Sequence, residues 1–431
     1  MNFTGLSLDQ APPISVPLRF FLVAPFFAIL AALVLFNNGI ENLERFSPST
    51  IAATHFITIG FFGFVMLGAL TQMLPVIANA TIKKVDILAT FVHIFIILGV
   101  LSMVYGLLYS LNTILVGAYI LLGLGFVLML VSIMNSMMSV THFTPTIKAM
   151  FLSLTFAFII VMIGIFLLYE YANGDLSSVH INLANIHATL AIFGFAILLI
   201  VGVVFQVLPM FYVAPDFGSF FEERFVYIVG LGLIAWSVCS LFYEEYLFII
   251  KIFLMFCFSY FSYALWNKFT TRKRKINDIT VLYFKLATVF LVVGLFVWNL
   301  GEIIVVPEII SGVFIGGFIM ASMQGMLYKI IPFLIWFHLN AKGYMNIKTM
   351  NEMINKKLAF AQFGMFVVSV ALFIVSNFVP VLFEISLIVF ILSMLILEYN
   401  IFVPYTIYTK TLKKKPDFDM AAFGDMSGGV S

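Results

Sequence analysis

Thr54-His55-Phe-Ile-Thr-Ile-Gly60, continued by Gly68-Ala-Leu-Thr-Gln72-Met-Leu-Pro75, lies in a run from residue 51 to 78 without a single Asp, Glu, Lys or Arg. About 20 apolar residues in helical form span a hydrocarbon core, so this run reads as a transmembrane helix with one histidine near one end and a glutamine and proline near the other. The same pattern returns later. Asn185-Ile-His187-Ala-Thr-Leu-Ala-Ile-Phe-Gly194 is followed by Gly202-Val-Val-Phe-Gln206-Val-Leu-Pro209. In both stretches the glycines are eight residues apart, glutamine comes four after the second glycine, and proline three after that. Self-similarity at fixed spacing is the mark of an internal repeat.

The rest of the chain has the same character. Of 431 residues, 63% are hydrophobic and 10% charged, more apolar surface than a water-facing fold can hide. Continuous rather than alternating apolar runs argue for helices and against a membrane β-barrel. Spans are expected at about 17–37, 51–78, 86–109, 112–135, 148–171, 182–213, 225–243, 246–266, 279–299, 307–337, 358–377 and 380–406. The fold class is therefore all-α integral membrane, a single transmembrane domain of about 12 helices over residues 1–407 with a tail, 408–431, expected to be disordered. The tenth span holds a weaker echo of the pattern, with Gly312 twelve residues before Gln324, so the helices group as three pseudo-repeated four-helix units, about 17–135, 148–266 and 279–406.

Charge sets the orientation. One set of loops carries Lys83, Lys84, Lys148, Arg224, Lys268, Arg272 to Lys275, Lys342, Lys348, Lys356 and Lys357, and the tail adds Lys410 and Lys413 to Lys415. The other set carries Glu41 and Glu44 with Arg45, then Glu170, Asp175, Glu244, Glu245, Glu302, Glu308 and Glu384. Short basic loops mark the cytoplasmic side, which places both termini inside a bacterial cytoplasmic membrane. The polar start MNFTGLSLDQ lacks a basic n-region, against a cleaved signal peptide. Net charge is +2 and implies no nucleic-acid partner. Cys239 and Cys257 have no metal-ligand spacing and read as small buried hydrophobes.

Three sets of four helices, both ends inside and a histidine near the outer end of span two resemble the catalytic subunit, subunit I, of haem–copper oxidases. Ala11-Pro-Pro with Pro17-Leu-Arg-Phe-Phe21 is similar to the NnrS-type twelve-span relatives of that superfamily. The resemblance implies that His55 is an axial ligand of a low-spin haem, most simply haem b, with copper as a second candidate. It also implies contact with respiratory-chain or oxidase-assembly proteins. Several family residues are absent. His187 is followed by Ala188 and Thr189 rather than by the family's His-Pro-Glu-Val-Tyr stretch, span seven has no histidine pair, and span ten has only His338 at its edge. Oxygen reduction at a haem–copper centre is therefore not expected. In the oxidase arrangement spans two and six do not share a haem.

Candidate ligands are His55 and His187, for haem or metal, and His93 in mid-span, where polar residues are costly and often functional. His55 and His187 either face one central cavity or each line a separate pore. His180 reads as a solvated loop histidine, and His142 and His338 as residues at the cytoplasmic ends of their spans without a ligand role. Gly60, Gly68, Gly194 and Gly202 allow close helix packing or leave room for a flat cofactor, and Gln72 and Gln206 repair the helix near proline or line a path. The functions open at this point are a haem- or metal-binding protein in nitric oxide response, electron transfer or oxidase assembly, a carrier of a small solute or metal ion, and a cofactor-free assembly partner.

Overall fold

The computed structural model describes residues 11–78, 80–304 and 307–418. The N-terminal decapeptide and residues 419–431 lie outside them. Within the described residues the chain is all helix and contains twelve helices long and apolar enough to cross a membrane. These are α1 Ser15–Asn38, α2 Pro48–Ala78, α3 Val85–Leu108, α4 Asn112–Met137, α5 Pro145–Asn173, α6 His180–Tyr212, α7 Phe220–Phe242, α8 Glu244–Thr271, α9 Ile279–Leu300, α10 Glu308–Ala341, α11 Lys356–Val375 and α12 Leu382–Thr411. The protein is a multi-pass integral membrane protein. Successive loops alternate between an acidic end and a basic end of the bundle.

Local chemistry starts the helices where polar residues precede apolar runs. Ser47, Thr144, Asp278 and Asn355 each accept a backbone N–H three residues on, capping α2, α5, α9 and α11, and Pro48 and Pro145 follow two of these caps. Burial is greatest in α2, followed by α6 and α10, so the three long helices form the centre and the others wrap them.

Glycine pairs seat the central helices on their neighbours. A Cβ at Gly60 would lie 2.4 Å from Cβ and Cγ of Phe27 in α1, and one at Gly68 would lie 2.7 Å from the Phe21 ring. Gly194 and Gly202 press in the same way on Phe156 and Ala149 of α5, at 2.9 and 2.7 Å. In α10 the residues so placed are Gly317 and Gly325, against Phe290 and Tyr283 of α9 at 2.7 and 2.8 Å, whereas a Cβ at Gly312 would meet nothing within 4 Å. The eight-residue glycine pair of α10 is thus Gly317 and Gly325, five residues beyond the position the sequence suggests, with Pro332 seven after the second glycine as Pro75 and Pro209 are in α2 and α6. Lys329 stands where those helices have Gln72 and Gln206. Because the Phe27 atoms nearest Gly60 adjoin the backbone and have nowhere to swing, Gly60→Ala is expected to cost about 1–3 kcal/mol, read as a lowered thermal midpoint in detergent. Gly316→Ala, with nothing within 4 Å of its Cβ, is expected to leave that midpoint in place.

Two of the three central helices contain a widened stretch. Residues Phe56–Gly63 of α2 and Leu190–Ile197 of α6 are π-helical, each eight residues long and each ending five residues before the second glycine of its pair. Helix α10 is regular α throughout. Wide turns of this kind recur at functional sites because they re-aim the side chains beside them.

At the basic end α12 runs past residue 407 to Thr411, and the segment after it folds back on the loop that follows α10. Asp417 accepts the N–H groups of Met345 and Asn346 at 2.8 and 3.0 Å, and Tyr344 donates to the Lys414 carbonyl at 3.0 Å. Those N–H bonds, from Asn346 and then Met345, hold the Asp417 carboxyl below its ordinary value. A depressed carboxylate contributes its docking energy above the unfolded value and loses it as pH falls through the folded one. The tail is therefore expected to stay protected from protease at neutral pH and to be cut faster in acid below the usual Asp range, while Asp417→Asn is cut fast at both.

Candidate functional site

His55 sits on the first turns of α2, at the edge of its π-helical stretch, and its Nδ1 lies 2.8 Å from the Ile51 carbonyl. His187 sits three residues before the π-helical stretch of α6, with Nδ1 3.0 Å from the Ile160 carbonyl of α5. A carbonyl oxygen only accepts, so each Nδ1 carries the proton and each Nε2 keeps its lone pair. The two imidazoles face one another across the helices, with ring centroids 6.3 Å apart and planes 26° from parallel. Gly164 makes room for the second of them, since a Cβ there would lie 2.9 Å from His187 Cε1.

Both histidines line one cavity of about 470 Å³ in the heart of the bundle. Thr50, Thr54 and Thr58 of α2, with Tyr119, Ser369 and Ser386, supply its few other polar groups, and no lining residue among those described is Asp, Glu, Lys or Arg. Facing the histidines, α10 contributes Gly312 and Gly316, beside which there is open space. Of the two arrangements open from sequence, one shared cavity is the one found. Gly312, part of the recurring pattern by its spacing alone, is a smooth piece of cavity wall.

At the acidic end of the bundle stands Arg45, in the loop between α1 and α2. It pairs with Glu308 at 3.1 Å and also donates to Asn185, two residues before His187. One guanidinium thus links the loop before α2 to the starts of α6 and α10. Leu43 of that loop and Ile309 beside Glu308 line the cavity, and Arg45 itself does not.

The other polar candidates lie elsewhere. His93 is not on the cavity. Its ring sits edge-on to Phe20 and Phe64, both at 5.2 Å, with a buried Nδ1 that has no hydrogen-bond partner. His180 is not a solvated loop residue. It is 6% exposed at the start of α6 and lies 2.6 Å from Glu170, whose other oxygen accepts the Ser177 N–H. Gln72 is buried with Oε1 unpaired, and Gln206 is half-buried. Lys329 does not snorkel out. It pairs with Asp278 at 2.9 Å, and Tyr212 donates to the same carboxylate. A hydrogen-bonded cluster of Tyr283, Gln324, Gln362 and Ser393 joins α9 to α12 on the basic side of the cavity. Hydrogen bonds within this cluster offset the cost of burying it, although Gln324 Nε2, like Gln72 Oε1 and His93 Nδ1, has no partner among the described residues.

Among the described residues no three His, Cys, Asp or Glu side chains converge on a point where they could hold a metal ion by themselves. A metal centre that needs three or more His, Cys, Asp or Glu ligands therefore has no donor set among them. The cavity offers two imidazoles, those of His55 and His187, instead. The sequence matches no protein-family model and no curated protein.

Proposed function

We propose that this protein is a haem-binding electron-transfer protein of the bacterial cytoplasmic membrane, built as three pseudo-repeated four-helix units in an arrangement like that of haem–copper oxidase subunit I and its NnrS-type relatives. The observation that carries the reading is the His55–His187 pair, two imidazoles each fixed through Nδ1 and 6.3 Å apart on one cavity. Metal–imidazole bonds are about 2 Å long and the ring centre lies about 1.1 Å further on, so two imidazoles on one iron stand about 6 Å apart between centres. The apolar walls and the open glycine face of α10 give a planar group room, and the cavity volume falls within the usual range for a cofactor site. The group itself, most simply haem b, supplies one-electron redox chemistry. If His55 and His187 both hold the group, no position would be left for oxygen or nitric oxide, which favours electron transfer over gas chemistry.

The repeat is supported by the matched glycine pairs and by the two π-helical stretches at equal places in α2 and α6. The shared use of α2 and α6 differs from the oxidase arrangement, and His93 has no place in this site. The basic loops and both termini face the cytoplasm on this reading. An apolar cavity free of charged walls argues against a carrier for polar solutes.

The test is the visible spectrum of protein purified in detergent from haem-replete cells, oxidised and reduced, with metal analysis. One haem per chain, low-spin in both states and unmoved by carbon monoxide, is expected. Colourless protein would end the proposal, and a haem that binds carbon monoxide would end its electron-transfer part.

A further inference from the structure

Two large clusters of basic residues lie on the basic end of the bundle, and the structure uses them differently. In and after the last turn of α8 they close helix ends. Lys268 donates to the Asp216 carbonyl, Arg272 to those of Phe269 and Ile276, Arg274 to that of Phe211 and Lys275 to that of Thr270. The second cluster surrounds the segment that follows α12. Asp417 and Phe418 donate their backbone N–H groups to the Gly343 carbonyl at 3.0 and 3.1 Å, which lays this strap along the loop after α10. Lys410 on the last turn of α12 and Lys413, Lys414 and Lys415 beyond it are exposed, and among the described residues their ammonium groups meet no acceptor. Lys342 and Lys348, on the loop beneath the strap, are exposed as well.

Residues 342–352 and 410–418 together hold six lysines and two acids. Both acids are engaged with backbone. The Asp417 carboxylate takes the N–H groups of Met345 and Asn346, and Glu352 takes the N–H and the hydroxyl of Thr349. Positive charge is therefore left over in one place. Leu412, Phe418 and Met345 stand exposed among these lysines. Ammonium groups beside exposed apolar side chains, at the end of a membrane-spanning helix, suit the boundary where phosphates meet acyl chains.

We propose that the strap 412–418 and the loop after α10 form a seat for the headgroup of an anionic phospholipid, with the lysines of this patch around its phosphate. The seat is independent of any group bound in the central cavity. A soluble phosphate shares the charge but lacks the chains that Leu412, Phe418 and Met345 would meet. Pinning by Asp417 matters because it gathers lysines that a loose tail would spread.

The experiment titrates the purified full-length protein, in uncharged detergent, with fluorescent phosphatidylglycerol and with phosphatidylcholine of the same chains. A lysine near an anionic surface is worth about fivefold in affinity, so the wild type should bind phosphatidylglycerol about tenfold tighter or more. Salt at about 1 M should remove most of that difference. Lys413→Gln/Lys414→Gln should bind phosphatidylglycerol about tenfold more weakly and phosphatidylcholine as before, with its thermal midpoint kept because both side chains are exposed. Lys83→Gln/Lys84→Gln removes the same charge from another exposed basic loop and should stay within about twofold of the wild type, since the field of a charge fades within a Debye length. Asp417→Asn removes a negative charge and yet should weaken binding, because the strap leaves the loop. Excess inorganic phosphate at constant ionic strength should not displace the lipid. Equal affinity for the two lipids overturns the proposal. So does an equal loss in the two double variants, which would make the whole basic end the attractor. Tighter binding by Asp417→Asn would show that the strap builds no seat, and displacement by phosphate would overturn the assignment to a lipid.

Discussion

Replacing either His55 or His187 by alanine is expected to abolish the six-coordinate, low-spin spectrum and to lower haem occupancy at least about tenfold. Each ring is held twice, by its helix and by the carbonyl that takes its Nδ1 proton, from Ile51 within α2 and from Ile160 across in α5. Such a second contact fixes the tautomer and points the lone pair. The two substitutions should therefore have similar size even though the histidines sit differently. Whatever haem remains in either variant should be five-coordinate and should now bind carbon monoxide, because a position opens that a side chain had filled. His93→Ala is the control. Its ring lies between Phe20 and Phe64, off the cavity, and its loss should leave the spectrum unchanged. Spectra unaltered in both His55→Ala and His187→Ala would remove the site.

A second large effect comes from a residue that donates nothing. Gly164→Ala would place a methyl group 2.9 Å from Cε1 and 3.4 Å from Nδ1 of His187. The ring must then slide off the Ile160 carbonyl one turn away on the same helix face, and the geometry that aims Nε2 is lost. Disturbing an outer contact of a ligating histidine typically costs 10- to 100-fold in affinity, so haem content should fall by about that factor while the helices remain folded. Gly123→Ala is the matched comparison. Its Cβ would meet only the far end of the Ile165 side chain at 3.0 Å, which can turn aside. Equal haem content in the two variants would show that His187 is not held by this contact.

The twelve helices are legible in the sequence because crossing a membrane demands long unbroken apolar runs, and the observed bounds fall within a few residues of those read from hydropathy in most spans. The histidines are legible as two candidates but not as a pair, since the approach of their rings across one cavity leaves no mark on spacing. The register of α10 is misleading for a definite reason. Gly312 and Gln324 imitate the interval, but one is cavity wall and the other belongs to the Tyr283–Gln362 cluster. The matching glycines, Gly317 and Gly325, are masked because Lys329 replaces the glutamine that would flag them. His180 reads as solvated because its partner, Glu170, comes ten residues earlier across a turn. Arg45 is hidden among acids, its link to Asn185 and Glu308 visible only once the fold brings them beside it.

The two π-helical stretches also give α2 and α6 slack in their length. A wide turn stores an additional residue relative to an ordinary helix. Removing one residue from Phe56–Gly63 would let the turn close into ordinary α-helix, with the half of α2 beyond it still in phase with His55 and Gly68 still against Phe21. The harm would fall on the side chains that the wide turn re-aims. In α10, which has no such slack, the same deletion would turn everything beyond it by about 100°.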